Sequence, residues 1–240
     1  MPKHKNVCPT GMRHHPLVSP ISEHFLIQCA ARGVASIDPK GRKRVPALTA
    51  FLFTVLCPRF ALEFSSRMVV DTERLLLRKL DLSDAPFVLK LLNTPGWLRY
   101  IGDKNVRTLL DAQLYLKNGP VESYAKHGFG LWLVLLKEGH TPAGLCGILK
   151  REELDDPDIG FAFMPEFTNM GYASEAVGAT LRMAGEHFEI PVVSAITSPD
   201  NYTSQKVLTR NGFAFFRMIT NPKGEELSLF QKRLAFSRGG

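Results

Sequence analysis

The stretch Asp158-Ile-Gly-Phe-Ala-Phe-Met-Pro-Glu-Phe-Thr-Asn-Met-Gly-Tyr-Ala-Ser-Glu-Ala176 decides how this chain folds. Its first part, residues 158–164, is rich in β-prone residues and ends at a proline, which predicts a strand. Its second part opens a helix from Tyr172 to Phe188, where apolar residues recur at three- and four-residue spacings. A strand that turns into a helix through a glycine leaves several N–H groups without intrahelical partners, and such a helix end favours a bound anion. The alternative is an ordinary strand-to-helix turn.

Upstream of this stretch, the sequence predicts one strand, two helical regions and two further strands. The first helix is expected to start at Asp81 or Ser83 and to be broken at residues 93–96. In the second helical region, Leu110, Leu114 and Tyr124 are expected to be buried, and Gly119-Pro120 is expected to split it. Turn residues between the strands predict an antiparallel meander that includes residues 158–164. The predicted elements are strand 74–78, helices to about 92 and over 108–127, and strands 131–137 and 143–150.

Downstream, short Val- and Ile-rich segments alternate with one more helix. This order predicts an α+β fold, with a mixed and mostly antiparallel central sheet flanked by helices. The predicted elements are strand 191–197, helix 203–210, and strands 212–218 and 227–234.

The basic charge of the chain is confined to its N-terminal part. The formal net charge is +7, and residues 1–67 carry ten Lys or Arg against three acidic residues. Residues 68–240 are therefore balanced and have no net field that would favour nucleic acid. The apolar run 45–57 is about thirteen residues, short of the roughly twenty that a membrane-spanning helix needs, so membrane contact is not favoured. We expect a poorly ordered or loosely attached extension, residues 1–67, and one domain, residues 68–240.

The cysteines and histidines give no framework for a disulfide scaffold or a metal site. Cys8, Cys29, Cys57 and Cys146 form no CxxC pair, and the histidines have no HExxH spacing. Cys146, inside an apolar run, is expected to be a small buried hydrophobe in a reducing compartment, which favours the cytoplasm.

Four motifs occur in order along residues 70–234. They are Arg74-Leu-Leu-Leu-Arg78 with Ser83-Asp84-Ala85, Asp158-Ile-Gly-Phe161, Gly171-Tyr-Ala-Ser-Glu-Ala176, and Asn201-Tyr-Thr-Ser204 with Asn211-Gly-Phe213. Together they resemble the GNAT superfamily of N-acetyltransferases, in particular the branch of ribosomal-protein alanine and serine N-acetyltransferases (RimJ/RimL-like). Two positions depart from the family pattern. Thr168 stands where many members carry Arg or Gln, and Asn169 replaces the first Gly of Gly-x-Gly, although Asn tolerates a left-handed backbone better than most residues.

The resemblance implies a GNAT fold with acetyl-CoA as co-substrate. Main-chain groups of Phe161 and Phe163 are then expected to pair with the pantetheine amides as an added strand would. The loop before the helix is expected to hold the pyrophosphate, with further cofactor contacts from Asn201 and Ser204. The loop residues implied in cofactor binding are Thr168, Asn169, Met170, Gly171, Tyr172, Ala173 and Ser174.

Attack of an amine on a thioester needs a base for the ammonium proton. The resemblance points to Asp158 for this role, and the alternative is a solvated loop acid beside Asp155 and Asp156. Ser204 is a candidate donor to the departing thiolate, and the alternative is a hydroxyl that caps its helix. Tyr202 is a second candidate donor if it faces inward.

The sequence thus predicts an N-acetyltransferase that moves an acetyl group from acetyl-CoA to a primary amine, on a protein N-terminus or a small molecule. The alternative, suggested by Thr168 and Asn169, is a catalytically silent module that binds acyl-CoA or a protein partner on the same scaffold.

Overall fold

The computed structural model describes residues 68–235, together with the short strands Ser36–Ile37 and Lys43–Arg44. The chain divides into two units, Met1–Ala61 and Leu62–Gly240. In the first unit the two short strands pair in antiparallel fashion. The other expectations for residues 1–67, including the loosely attached extension and the apolar run 45–57, lie outside the described residues.

The second unit is built on one eight-stranded sheet. Its strands are β1 (Met68–Asp71), β2 (Leu75–Lys79), β3 (Leu131–Leu136), β4 (Pro142–Leu149), β5 (Asp158–Phe163), β6 (Val192–Thr197), β7 (Ala214–Thr220) and β8 (Glu226–Arg233). Their order across the sheet is β1-β2-β3-β4-β5-β6-β8-β7. Only β5 and β6 are parallel neighbours, and the other described neighbours are antiparallel. The predicted mixed, mostly antiparallel sheet and its meander are therefore confirmed.

Six α-helices accompany this sheet in the described residues. They are α1 (Ala85–Leu92), α2 (Pro95–Tyr100), α3 (Leu109–Leu116), α4 (Glu122–His127), α5 (Tyr172–Glu186) and α6 (Tyr202–Arg210). None of the helices in these described residues is both long and apolar enough to cross a bilayer.

The helices cover the two faces of the sheet and form a core on each. On one face, α5 buries its small residues, such as Ala176 and Ala184, against Leu77 and Trp132. On the other face, residues of α1, α2 and α3 pack against Leu133 and its strand neighbours. Because the side chains of a strand alternate between faces, β5 sends Ile159 into the first core while Asp158 lies on the side of the second.

The first helices differ from the sequence prediction in two respects. Helix α2 begins at Pro95, inside the segment that was expected to break the first helix. It forms there because Thr94 caps it and proline is well suited to the first helical turn. Leu110 and Leu114 are 64% and 47% exposed, so their predicted burial is wrong. The capping box of Thr108 sets the phase of α3 so that Ala112 and Leu116 face the core instead.

The remaining predictions for this region hold in part. The predicted split at Gly119-Pro120 takes the form of a π-helical turn, Lys117–Val121, between α3 and α4. Tyr124 is half-buried, and its hydroxyl accepts a hydrogen bond from the Leu80 N–H at 3.0 Å. Of the two predicted caps, Asp81 is the one that receives the Ser83 N–H, at 2.7 Å.

Candidate active site

The sheet opens between its two parallel strands, β5 and β6. In the described residues these strands share a single register pair, Asp158 with Ser194. The Ser194 N–H donates to the Pro157 carbonyl at 2.9 Å on the same side of that pair. Beyond Asp158 the edge of β5 that faces β6 is therefore without a paired strand.

The main-chain groups of Phe161 and Phe163 lie on this open edge. Successive residues of a strand direct their N–H and C=O groups to opposite sides. The Met164 N–H donates to the Ala143 carbonyl of β4 at 2.9 Å, whereas the Pro157 carbonyl is bonded to β6. The main-chain N–H and C=O groups of the odd-numbered residues of this strand therefore face β6. This is the orientation that Phe161 and Phe163 need in order to pair with an extended ligand.

The glycine loop, residues 168–171, lies between the end of β5 and the start of α5. It therefore lies at the end of the opening that is nearer to Phe163 than to Asp158. Asn169 has a φ of 61° and Gly171 a φ of 82°, both in the left-handed region. The left-handed φ of Asn169 agrees with the tolerance of asparagine for this backbone conformation. Helix α5 begins after Gly171 without any side-chain cap, so its first N–H groups are available to an anion.

Arg74, the residue before β2, contacts the glycine loop and the start of α5. Its Nε donates to Glu175 at 2.7 Å, and its Nη1 donates to the Met170 carbonyl at 3.0 Å. The guanidinium also lies over the Tyr172 ring, 4.7 Å from its centroid. Arg74 thus contacts the loop and two residues of the first helical turn, Tyr172 and Glu175.

Glu175 completes this connection between β2 and α5. Its carboxylate also accepts from the Thr72 hydroxyl at 2.6 Å and from the Arg74 N–H at 2.9 Å. Partial burial raises the pKa of Glu175, but these hydrogen bonds outweigh burial and hold it below the ordinary value. Glu175 is therefore ionised across the neutral pH range.

Asp158 is a buried carboxylate at the point where β5 and β6 separate. Its side chain is 1% exposed, and Arg151 Nε donates to both of its oxygens at 3.0 and 3.1 Å. Burial raises the pKa of Asp158 to about 6, although Arg151 opposes the shift. The alternative of a solvated loop acid is inconsistent with this burial.

The loop after β6 and the start of α6 carry the other candidate residues. The Asn201 side chain accepts from the Ser204 N–H at 3.1 Å and so caps α6, while Ser204 itself is half-buried. Tyr202 is 69% exposed, so the inward position required of a proton donor is not met. At the other end of α6, the Asn211 amide donates to the Ser174 hydroxyl at 3.0 Å and ties the helix to the first turn of α5.

Asp158 lies at the start of β5, whereas the glycine loop follows the other end of that strand. Because β5 and β6 are parallel, the glycine loop and the 198–204 segment both follow the C-terminal ends of these strands and leave the sheet at the same end. Sequence reasoning missed Arg74, Glu175 and Arg151 as contributors. Arg74 and Glu175 stand inside quoted motifs, but their hydrogen bonds span about a hundred residues, which no local pattern reveals.

Among the residues described by the structure, no group of three or more His, Cys, Asp or Glu could hold a metal ion. Cys146 is free and buried, and burial raises the pKa of its thiol to about 12, so it behaves as a hydrophobic residue of the core.

Comparison with known proteins places this geometry in a family. A family model described as the acetyltransferase (GNAT) domain matches residues 74–214. The uncharacterised N-acetyltransferase YnaD of Bacillus subtilis (strain 168) is 27% identical over 162 residues, which cover 66% of this chain and 91% of YnaD.

Solved structures of acetyltransferases share the fold. RimL, a ribosomal L7/L12 alpha-N-protein acetyltransferase solved with coenzyme A, matches with a TM-score of 0.61 and 17% identity over 70% of this chain and 98% of RimL. The ribosomal-protein-S5-alanine acetyltransferase of Vibrio fischeri matches with a TM-score of 0.59 and 19% identity over 68% of this chain and 95% of its own. The family model matches more than half of the chain. The chain therefore belongs to the GNAT family of acetyltransferases, which take their acetyl group from acetyl-CoA.

Proposed function

We propose that this protein transfers the acetyl group of acetyl-CoA to a primary amine, with Asp158 as the general base. The observation that carries the proposal is a buried carboxylate at the start of the opening between β5 and β6, with a pKa raised to about 6. A base with a pKa close to the working pH is ionised there and still takes up a proton readily.

The described residues fit acetyl-CoA as the co-substrate. The free edge of β5 at Phe161 and Phe163 offers main-chain donors and acceptors to the amides of the pantetheine arm. The glycine loop and the uncapped start of α5 offer N–H groups to the pyrophosphate. Within the loop, the Thr168 N–H donates to the Pro165 carbonyl at 3.2 Å, whereas the described structure gives the N–H groups of residues 169–171 no such partner.

When bound, acetyl-CoA supplies a thioester whose carbonyl carbon accepts the amine lone pair while the carbon–sulfur bond breaks. Asp158 takes up the proton that the amine nitrogen loses. Arg151 balances the charge of the ionised carboxylate and keeps the proton-accepting oxygens in place. We assign Ser204 to proton donation toward the departing sulfur, because its hydroxyl is not used in the cap that Asn201 provides to α6.

The acceptor is a primary amine, either the N-terminus of a protein or a small molecule. Two of the fold neighbours carry ribosomal-protein acetyltransferase names, which makes peptide N-termini the first class to screen. A cytoplasmic location remains a prediction that agrees with the free thiol of Cys146.

The test is a comparison of the full-length protein with Asp158→Asn. Acetyl-CoA binding is measured by calorimetry, and release of the free thiol is measured with a panel of peptide and small-molecule amines. We expect Asp158→Asn to lower turnover by about 10²- to 10⁴-fold, as loss of general-base catalysis does, and to bind acetyl-CoA as the wild type does. Unchanged turnover would remove Asp158 as the base, and wild-type binding without turnover of any amine would favour the silent acyl-CoA-binding module.

A further inference from the structure

We propose that Arg74 is a positioning residue for CoA binding, because it fixes the backbone of the glycine loop in the conformation that receives the pyrophosphate. The inference rests on the proposed function. Arg74 lies in the β1–β2 turn region, outside the loop and its helix, and about a hundred residues before them in the chain.

The loop needs an external support because its own residues do little to hold its backbone conformation. Two left-handed residues, Asn169 and Gly171, flank Met170, and Asn pays more strain than Gly for that conformation. In the described structure, the hydrogen bonds within the loop are those of Thr168 to the Pro165 carbonyl, which precede the two strained residues.

Arg74 supplies that support at the strained part of the loop. Its Nη1 holds the carbonyl of Met170, the residue between the two left-handed positions, at 3.0 Å. With the carbonyl drawn toward Arg74, the peptide plane is fixed, and so is the direction of the adjoining Gly171 N–H. A Cβ placed on Gly171 would lie 3.2 Å from Nη2, so the guanidinium is packed closely against this turn.

Glu175 fixes Arg74 in turn. The carboxylate receives Arg74 Nε at 2.7 Å and the Arg74 N–H at 2.9 Å, while Tyr172 packs under the guanidinium plane. The planar fork of arginine therefore bridges two acceptors, the Glu175 carboxylate and the Met170 carbonyl. Lysine has a single ammonium group on a flexible stem and cannot reproduce this fixed bridge.

This role differs from simple attraction of the cofactor by positive charge. Arg182 gives the matched control, since it is exposed on α5 and lines the same groove of about 520 Å³ as Arg74 and Glu175. The described structure gives Arg182 no hydrogen bond to the glycine loop. Removing its charge changes the electrostatics of the groove and leaves the bridge intact.

The experiment measures CoA affinity by calorimetry in the full-length protein and its Arg74→Met, Arg74→Lys and Arg182→Met variants. We expect both Arg74 variants to raise the Kd for CoA about tenfold or more and Arg182→Met to leave it within about twofold. Hydrogen exchange of the amides at residues 169–172 in the free protein is expected to become faster in the Arg74 variants only. Transfer from acetyl-pantetheine, which lacks the pyrophosphate, is expected to keep its wild-type kcat/KM.

Other results would overturn the inference. Full CoA affinity in Arg74→Lys would reduce the role to charge, and an equal loss in Arg182→Met would reduce it to the field of the groove. An equal loss with acetyl-pantetheine would indicate general damage to the fold. If Arg74→Met fails to fold, the lysine variant and the exchange data decide the question. Absence of CoA binding in the wild type would contradict the proposed function itself, whereas binding that is unchanged by both Arg74 variants would contradict only the role of Arg74.

Discussion

At the scale of the residue, the properties of Asp158 follow from two opposing effects. Burial removes water from the carboxylate and raises its pKa, while Arg151 lowers it through its charge and its hydrogen bond. The negative charge of Glu153 adds a smaller raising contribution. Because burial prevails, Asp158 changes its protonation state near pH 6 instead of near pH 4.

These effects predict how activity depends on pH. The base acts only when ionised, so kcat/KM is expected to rise with pH through about 6 and then to level off. Arg151→Met removes the group that lowers the pKa of Asp158 and is expected to move the midpoint to higher pH. Glu153→Gln removes a raising contribution and is expected to move the midpoint slightly the other way.

The measurement is kcat/KM against pH for the three proteins with one amine. Ionisation of the amine contributes equally to all three profiles, so the differences between them report the enzyme. A midpoint that is the same in all three, or that falls in Arg151→Met, would contradict the assignment.

At the scale of the element, the sequence predicted the strands and helices better than their faces. The strands of the meander were predictable because each is bounded by turn residues, and α5 because its small residues follow one helical stripe. The orientation of α3 was not predictable, because leucines occur on both sides of that segment and only the cap at Thr108 fixes its phase. Helix α2 was missed because proline was interpreted as a break, although Thr94 before Pro95 is a helix-start signal.

The corrected face of α3 can be tested through stability. Leu116 is fully buried in the core beneath the first helices, whereas Leu110 is 64% exposed. Leu116→Ala is expected to lower the free energy of unfolding by about 2–5 kcal/mol, because it leaves a cavity. Leu110→Ala, the matched substitution six residues earlier, is expected to change it by less than about 0.5 kcal/mol. Urea unfolding of both variants checks this, and a reversed order would restore the face that the sequence predicted.

At the scale of the whole molecule, the candidate site is built from contacts that join distant parts of the chain. The motifs predicted the turn before α5 and an acidic residue on β5, and the structure has both, because a short sequence carries the turn and the strand. They could not reveal that Arg151 covers Asp158 or that Arg74 holds the loop, since both depend on how the strands are arranged. The unpaired edge of β5 likewise exists only because β6 joins it at a single residue pair in the described structure.

We propose that acetyl-CoA binds along this edge, with its pyrophosphate at the start of α5. The most direct measurement is calorimetric titration of acetyl-CoA into the full-length protein at fixed salt, with Ala173→Glu and Ala173→Gln as matched variants. Ala173 is half-buried in the first turn of α5, where an added carboxylate is compatible with the helix dipole but repels a phosphate. We predict binding to the wild type and to Ala173→Gln, and a loss of at least about tenfold in Ala173→Glu. No binding to the wild type, or equal binding to all three proteins, would contradict this position of the pyrophosphate.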